Sequence, residues 1–324
     1  MSLLNVLLGS VVLAAVFAAC LLGSTPLPPS DVIDALLGQG APGDEIVVWQ
    51  IRLPRALAAL AVGAGLGMGG AALQGLLRNP LAEPGILGVS ATAALGATCT
   101  IYYGLAALSP WALPLGAVMG ALVATGLIVL VALRTTSVVT LILVGVGLSS
   151  FAAAAMSLLM NFAPHPFTLA DLVDWTLGSV ANRGFPDLAL ALPFGLVGAV
   201  TLWFWRRSLA VLTLGEEAAH GAGVNLPALR AGVVLGAGLL AGAAVSLAGA
   251  IGFVGIVAAH VVRPWVQFDV ARSLLPSALL GGLLLVVADV LLRLLPTQNE
   301  LKLGVLAALL GAPVFVWIAL RRQP

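Results

Sequence analysis

Apolar residues in this chain do not alternate with polar ones and do not form one-sided helical stripes. They come in long unbroken runs separated by short polar punctuation. A hydrocarbon core about 30 Å thick requires roughly 20 apolar residues per crossing helix, and runs of that kind recur along the whole sequence. They predict spans at about 3–23, 54–77, 85–105, 111–133, 138–161, 188–205, 230–250, 251–268, 274–295 and 303–320. The fold class that follows is an all-α membrane protein: ten transmembrane helices in one compact bundle, forming a single domain over 1–324, with both termini cytoplasmic. Most runs are rich in Ala, Gly and Leu. Small residues let helix backbones approach closely where no hydrophobic force operates between them, and Gly63, Gly65, Gly67, Gly69 and Gly70 crowd one run.

The uncharged run from Ala231 to Val262 is too long for one helix and short for two, and charge decides between them. Cytoplasmic loops hold an excess of Lys and Arg. Splitting the run puts Arg78, Arg134, Arg206, Arg207, Arg230, Arg263, Arg272, Arg321 and Arg322 inside, and Arg52, Arg55, Arg183, Arg293 and Lys302 outside, nine against five. Fusing it gives seven against seven. The second half, interrupted by Gly249, Gly252 and Gly255, reads either as a broken helix beside a transport route or as a kinked packing helix. At the start, Leu3–Gly23 has the length of a signal peptide, but no Lys or Arg precedes Arg52, so it reads as a retained first span.

Composition supports the membrane assignment: 61% of residues are hydrophobic and 8% charged, against roughly 25% charged in soluble domains. A net charge of +1 excludes a polybasic nucleic-acid binder. Cys20 and Cys99 lie in apolar runs and read as structural thiols. No phosphate-loop motif occurs, and Lys302, the only lysine, lies on the predicted outside. The chain is therefore expected to carry no cofactor of its own and no metal site. His165, His220 and His260 are dispersed, with His165 reading as a solvated loop residue. Asp289 is the one acid inside a predicted span, and Arg293, four residues on, pairs with it. Intramembrane coupling groups are thus scarce, which weighs against an ion-coupled carrier or a passive channel. A structural or flipping protein is the other rival.

Two external loops, Ser24–Leu53 and Pro164–Asp187, are polar. The largest internal loop, Arg206–Leu229, has the chemistry of a structured surface. Leu214-Gly215-Glu216-Glu217 opens a short helix with its acids at the positive N-terminal end. Gly221 and Gly223 end that helix, Val224-Asn225 turns, and Pro227 opens the next.

The motifs then become specific. Ile51-Arg52-Leu53-Pro54-Arg55, the run Leu76-Leu77-Arg78-Asn79-Pro80-Leu81-Ala82-Glu83-Pro84-Gly85-Ile86-Leu87-Gly88, Trp175-Thr176-Leu177-Gly178-Ser179, Leu214-Gly215-Glu216-Glu217, Gly252-Phe253-Val254-Gly255 and Leu310-Gly311-Ala312-Pro313-Val314-Phe315 occur in this order. Together they resemble the permeases of ABC importers for iron–siderophore complexes, haem and cobalamin. The resemblance implies a multi-pass protein of the bacterial inner membrane with three kinds of partner: a second permease copy, two cytoplasmic ATPase subunits that hold ATP and Mg, and a periplasmic substrate-binding protein. It assigns ATPase coupling to Leu214, Gly215, Glu216, Glu217, Gly221, Gly223 and Asn225. Docking of the binding protein falls to Arg52, Arg55 and Arg293, where guanidinium groups can hold carboxylates bidentately. The cytoplasmic gate falls to Asn79, Pro80, Leu81, Thr136 and Ser137, and the pathway face of the fifth span to Ser149, Ser150, Met156, Ser157 and Met160. Three segments depart from the family pattern: Ala258-Ala259-His260, Asp269-Val270-Ala271-Arg272 and Glu300-Leu301-Lys302-Leu303-Gly304. The implied function is ATP-driven import of a bulky metal chelate by alternating access, an iron chelate first and cobalamin as the alternative.

Overall fold

A chain whose side chains are nearly all apolar can bury its backbone polarity in lipid only by helical hydrogen bonding. Every regular element among the described residues is accordingly a helix. The structure is a computed structural model, and it describes residues 3–135, 137–295 and 301–320, the side chains of 317–319 apart. Thr136, Arg321 and Arg322 lie outside the described residues.

In chain order the helices are α1 (Leu3–Leu21), α2 (Pro29–Leu36), α3 (Pro42–Glu45), α4 (Leu53–Leu76), α5 (Val89–Tyr102), α6 (Ala112–Arg134), α7 (Val138–Asn161), α8 (Pro166–Leu177), α9 (Phe185–Leu212), α10 (Glu216–Gly221), α11 (Leu226–Ala248), α12 (Val254–Val262), α13 (Val270–Leu294) and α14 (Leu303–Leu320). By length and composition, α1, the continuous stretch Pro42–Leu76, α6, α7, α9, α11 and α13 suffice to cross a membrane. The segments Val89–Tyr102, Val254–Val266 and Leu303–Val316 are shorter apolar helices. The seven long and three short segments fall on the ten predicted runs.

Boundaries differ in four places, each for a physical reason. The external loop Ser24–Leu53 is largely helical: α3 runs through a π-helical stretch, Ile46–Arg52, straight into α4. Pro54 removes one backbone donor and crowds the preceding turn. The wider turn, closed by the Leu53 N–H donating to the Val48 carbonyl, absorbs that mismatch without ending the helix. The second loop, Pro164–Asp187, contains α8, opened by Pro166 at its first turn. Helix α5 begins late, because Pro84–Leu87 forms a tight turn ending at Gly88 with φ 75°. A Cβ at Gly88 would lie 2.7 Å from the Gly145 carbonyl oxygen of α7. Helix α9 continues past Arg206 and Arg207 to Leu212, where Leu209 and Leu212 are buried in the core and hold the added turns in place.

The split of the long run is borne out, with residues 249–253 non-helical between α11 and α12. Its freed backbone groups meet protein partners: the Ser179 N–H donates to the Ala248 carbonyl at 2.8 Å, and the Phe253 N–H donates to a Glu83 carboxylate oxygen at 3.0 Å.

Helices α4 and α11 form the centre, largely covered by other helices, whereas α1, α7 and α9 are open along most of their length. The central contacts are backbone against backbone. Gly63 of α4 faces the Gly281 carbonyl of α13, Gly67 faces the Ser277 carbonyl, and Gly70 faces Gly255 of α12. Gly63 and Gly67, like Ser277 and Gly281 opposite them, are small residues at four-residue spacing, which lets membrane helices approach closely. Cys20 is buried, Cys99 is half-buried, and neither forms a disulfide.

Candidate functional site

The polar chemistry gathers at the two ends of α4. Its 24 residues extend about 36 Å at 1.5 Å per residue, so the groups at Arg52–Arg55 and those beyond Leu76 lie on opposite faces.

At the first end, sequence locality pairs Arg293 with Asp289 on α13, and that pair is present at 3.1 Å. The structure adds Arg55 from α4, 234 residues away in sequence, whose Nη2 donates to the same carboxylate at 2.8 Å. Arg293 also donates to the Ala19 and Leu22 carbonyls at the end of α1. Arg52 is 3% exposed; it donates to the carbonyls of Cys20 at 2.7 Å and Leu21 at 3.0 Å, and to that of Thr25. The expected docking arginines are therefore an internal clamp. Arg52 and Arg293 bond the carbonyls left open where α1 ends, Arg55 and Arg293 share Asp289, and the three are not an open array of guanidinium forks. The physical reason is proximity: α1 ends beside the start of α4, and its last carbonyls are the nearest acceptors.

A second polar group surrounds a cavity of about 480 Å³ lined in part by Asp171, Asp174, Trp175, Arg183 and Lys302. Lys302 pairs with Asp174 at 3.0 Å, and the Arg183 guanidinium lies 5.2 Å from the Trp175 ring centre. Burial lowers the Arg183 pKa and the neighbouring Asp187 opposes that shift.

At the opposite end the loop to which coupling was assigned, Arg206–Leu229, folds as its residues dictate. Gly215, at φ 119°, turns the chain into α10; Gly223, at φ 79°, reverses it after α10. The Val224 N–H closes back on the Ala219 carbonyl at 3.0 Å, a helix-ending pattern that favours glycine. Asn225 caps α11, its side chain accepting from the Ala228 N–H at 3.1 Å. Leu214, Glu217, His220, Gly221, Gly223 and Asn225 are exposed, while Ala219 is buried under α10.

Glu216 does something the sequence reading did not foresee. It pairs with Arg230 of α11 at 2.9 Å and lies 3.6 Å from Arg78, just beyond the C-cap of α4. Arg230 is 1% exposed and its Nη1 reaches the Thr135 carbonyl at 3.5 Å. One carboxylate thus ties the short helix to both turns assigned to the gate. The first of these, Arg78–Leu81, is held by the Asn79 side chain accepting from the Leu81 N–H at 2.9 Å. The second is held by Ser137, which caps α7 by accepting from the Thr140 N–H at 3.3 Å. Leu81 and Pro80 are partly exposed at this end.

Glu83 was quoted only as part of a motif, yet it is a structural junction. Its carboxylate accepts from Phe253 at the start of α12; the Phe253 ring in turn packs edge-on against Phe315 of α14 at 6.1 Å. The available signal was its position among small residues and prolines, as the one acid of that motif.

Packing separates the faces of α7, which periodicity could not. Leu141, Gly145 and Ala152 are buried, and Ser149 donates to the Gly85 carbonyl at 3.4 Å. Ser150 and Ser157 lie on the open side, with Met156 and Met160 half-buried. Among the expected pathway residues, Ser149 therefore belongs to the packing face.

Comparison with known proteins supplies the context for this geometry. The FecCD transport family model matches residues 11–321. The chain is 40% identical over 292 residues to the vitamin B12 import system permease protein BtuC of Salmonella typhi, covering 87% of each chain. The BtuC protein of Citrobacter koseri matches at the same identity and coverage. A solved structure described as an inward-facing conformation of a metal-chelate type ABC transporter superposes with a TM-score of 0.86 at 30% identity, covering 98% of both chains.

Proposed function

Because the chain belongs to the FecCD transport family, we propose that it is the permease subunit of an ATP-driven importer for a bulky metal chelate. The chain is a multi-pass protein of the bacterial inner membrane. Ten membrane crossings with both termini cytoplasmic are the topology we assign to its seven long and three short apolar segments. Two copies of the chain, two ATPase subunits and a periplasmic binding protein complete the transporter.

The observation that carries this reading is the placement of Glu216. A partner that grips the exposed Leu214–Asn225 surface and moves it displaces Glu216. That displacement strains the bonds to Arg230 and Arg78, and through them the Arg78–Leu81 and Thr135–Ser137 turns. Closure of the ATPase subunits around ATP supplies the motion, and the turns open or close the route beside α7. An input of this kind shifts a two-state equilibrium only by its differential affinity for the two states. The open side of α7, with Ser150 and Ser157, lines the route in the assembled transporter. On the external face the binding protein docks over α2, α8 and the start of α4. Arg52, Arg55 and Arg293 contribute there by fixing the end of α1 and by their positive charge.

For the chelate, an iron complex and cobalamin both fit a route of this apolar character. The 40% identity to vitamin B12 import permeases over 87% of the chain favours cobalamin. The test is uptake into liposomes that contain the permease with its ATPase subunits, supplied with loaded binding protein. Wild-type protein is expected to accumulate chelate only when ATP is enclosed. Accumulation by the permease alone on an ion gradient would overturn the assignment.

A mutational prediction arises from the same contact. Glu216→Ala is expected to lower ATP-driven uptake by about tenfold or more, a coupling loss of roughly 1.4 kcal/mol, while the permease remains folded in detergent. Undiminished uptake by this variant would remove Glu216 from the coupling route.

A further inference from the structure

The outer surface between α9, α4 and α13 carries an apolar groove of about 490 Å³ lined by small residues, among them Ala64, Gly195, Ala199 and Ala278. Leu192, Leu196, Val200 and Trp203 form its exposed wall on α9. At the end that carries the coupling loop, this groove runs into a second cavity of about 480 Å³. Trp203 and Leu275 line both. The second cavity is polar where the first is not: Asn5, Arg206, Gln267 and Arg272 line it beside Trp203 and Trp265. Both volumes are of the size that binds small-molecule ligands.

The charges are arranged for an anion. The Arg206 guanidinium stacks 3.9 Å from the Trp203 ring centre, and its Nη1 donates to the Trp203 carbonyl at 2.8 Å. This fixes its planar fork at the rim. Arg272 is held at 3.2 Å by Asp269, the residue that caps α13. Asp269 is not among the residues that line the cavity, and none of those is acidic. Asn5 Oδ1 is buried without a hydrogen-bond partner among the described residues, leaving an acceptor for a hydroxyl. Trp203 and Trp265 are 44% and 58% exposed, as amphipathic rings are at the level of lipid headgroups.

We propose that these two cavities form one site for an anionic phospholipid of the cytoplasmic leaflet. An acyl chain lies along the small-residue groove, the phosphate sits between Arg206 and Arg272, and a headgroup hydroxyl donates to Asn5. Phosphatidylglycerol has all three features. Basic pockets between membrane helices on the cytoplasmic side select anionic headgroups in this way, each Arg or Lys contributing through the negative surface field. The site is independent of the transported chelate and of the coupling contacts around Glu216, so its failure would leave the importer assignment standing.

Native mass spectrometry of the purified permease with equal amounts of phosphatidylglycerol and phosphatidylcholine of the same chain length tests it. Wild type is expected to retain phosphatidylglycerol about tenfold over phosphatidylcholine. Arg206→Gln with Arg272→Gln is expected to bring the two to parity. Arg206→Lys, which keeps the charge, is expected to retain most of the preference and so separates charge from any effect on folding. Gly195→Leu fills the groove; the methyl position there has only Ala243 nearby, at 3.8 Å. That variant is expected to hold less of both lipids. Millimolar glycerol 3-phosphate is expected not to displace the lipid. The proposal is overturned if wild type shows no preference, if the double glutamine variant keeps it, or if soluble glycerol phosphate competes as well as the lipid does.

Discussion

Asp289→Ala is expected to lower the thermal unfolding midpoint of the detergent-solubilised protein by roughly 10 °C, the effect of about 3–5 kcal/mol in a protein of this size. The carboxylate is buried, at 1% exposure, and serves two arginines from different helices. Removing it strips the counter-charge from Arg55 and Arg293, whose side chains are 13% and 7% exposed. An uncompensated buried charge costs far more than a surface pair contributes. Arg293 also holds the end of α1, so α1 is expected to become the first segment cut by limited proteolysis. A midpoint within about 2 °C of wild type would show that the network is incidental to stability.

The second large effect concerns glycine. Gly63→Ala combined with Gly67→Ala places two methyl groups directly on the Gly281 and Ser277 carbonyls of α13. Those neighbours are backbone atoms and cannot rotate away, so α4 and α13 must separate. Overpacking at one site costs about 1–3 kcal/mol, and two sites on one interface are expected to reach about 3 kcal/mol or more. The double variant is expected to fall in midpoint by roughly 8 °C or more and to lose membrane yield. Gly147→Ala on the open side of α7, with nothing near its methyl position, is the control and is expected to behave as wild type. Equal midpoints for the double variant and the control would mean that α4 and α13 are not in close contact in the membrane.

Much of this architecture is legible in one dimension because lipid imposes simple rules. Apolar run length gives the crossing segments, and the break at 249–253 is visible as glycine in an uncharged run of impossible length. The coupling loop is legible for another reason. Its fold is local, with each turn set by Gly215, Gly223, Asn225 or Pro227 within a few residues of its effect. Three-dimensional partnership is what the sequence hides. Arg52 and Arg55 look like surface charges because hydropathy registers a cation without its acceptors, which here are carbonyls about 30 residues earlier and an aspartate 234 residues later. Helix α8 and the helical part of 24–53 were hidden by the opposite error, since polar segments read as loops even where their periodicity is helical. The inward pairing of Glu216 was not legible, because Arg78 lies on a remote segment and nothing in the sequence marks Arg230, on the following helix, as buried. The faces of α7 were unreadable because, in lipid, packing and open sides are equally apolar.

From Pro42 to Leu76 the chain runs as one 35-residue helix, with the Asp289 clamp near one end and Arg78 just beyond the other. Beyond its π-helical stretch, Ile46–Arg52, such a rod has no non-helical residue down to Leu76. A push on the end that carries Arg52 is expected to reach the end beside Arg78 as a tilt, with the glycine-lined contact against α13 as the surface on which the helix turns. Breaking the rod midway, with a flexible insertion after Gly65, would leave both faces of the membrane built but deaf to each other.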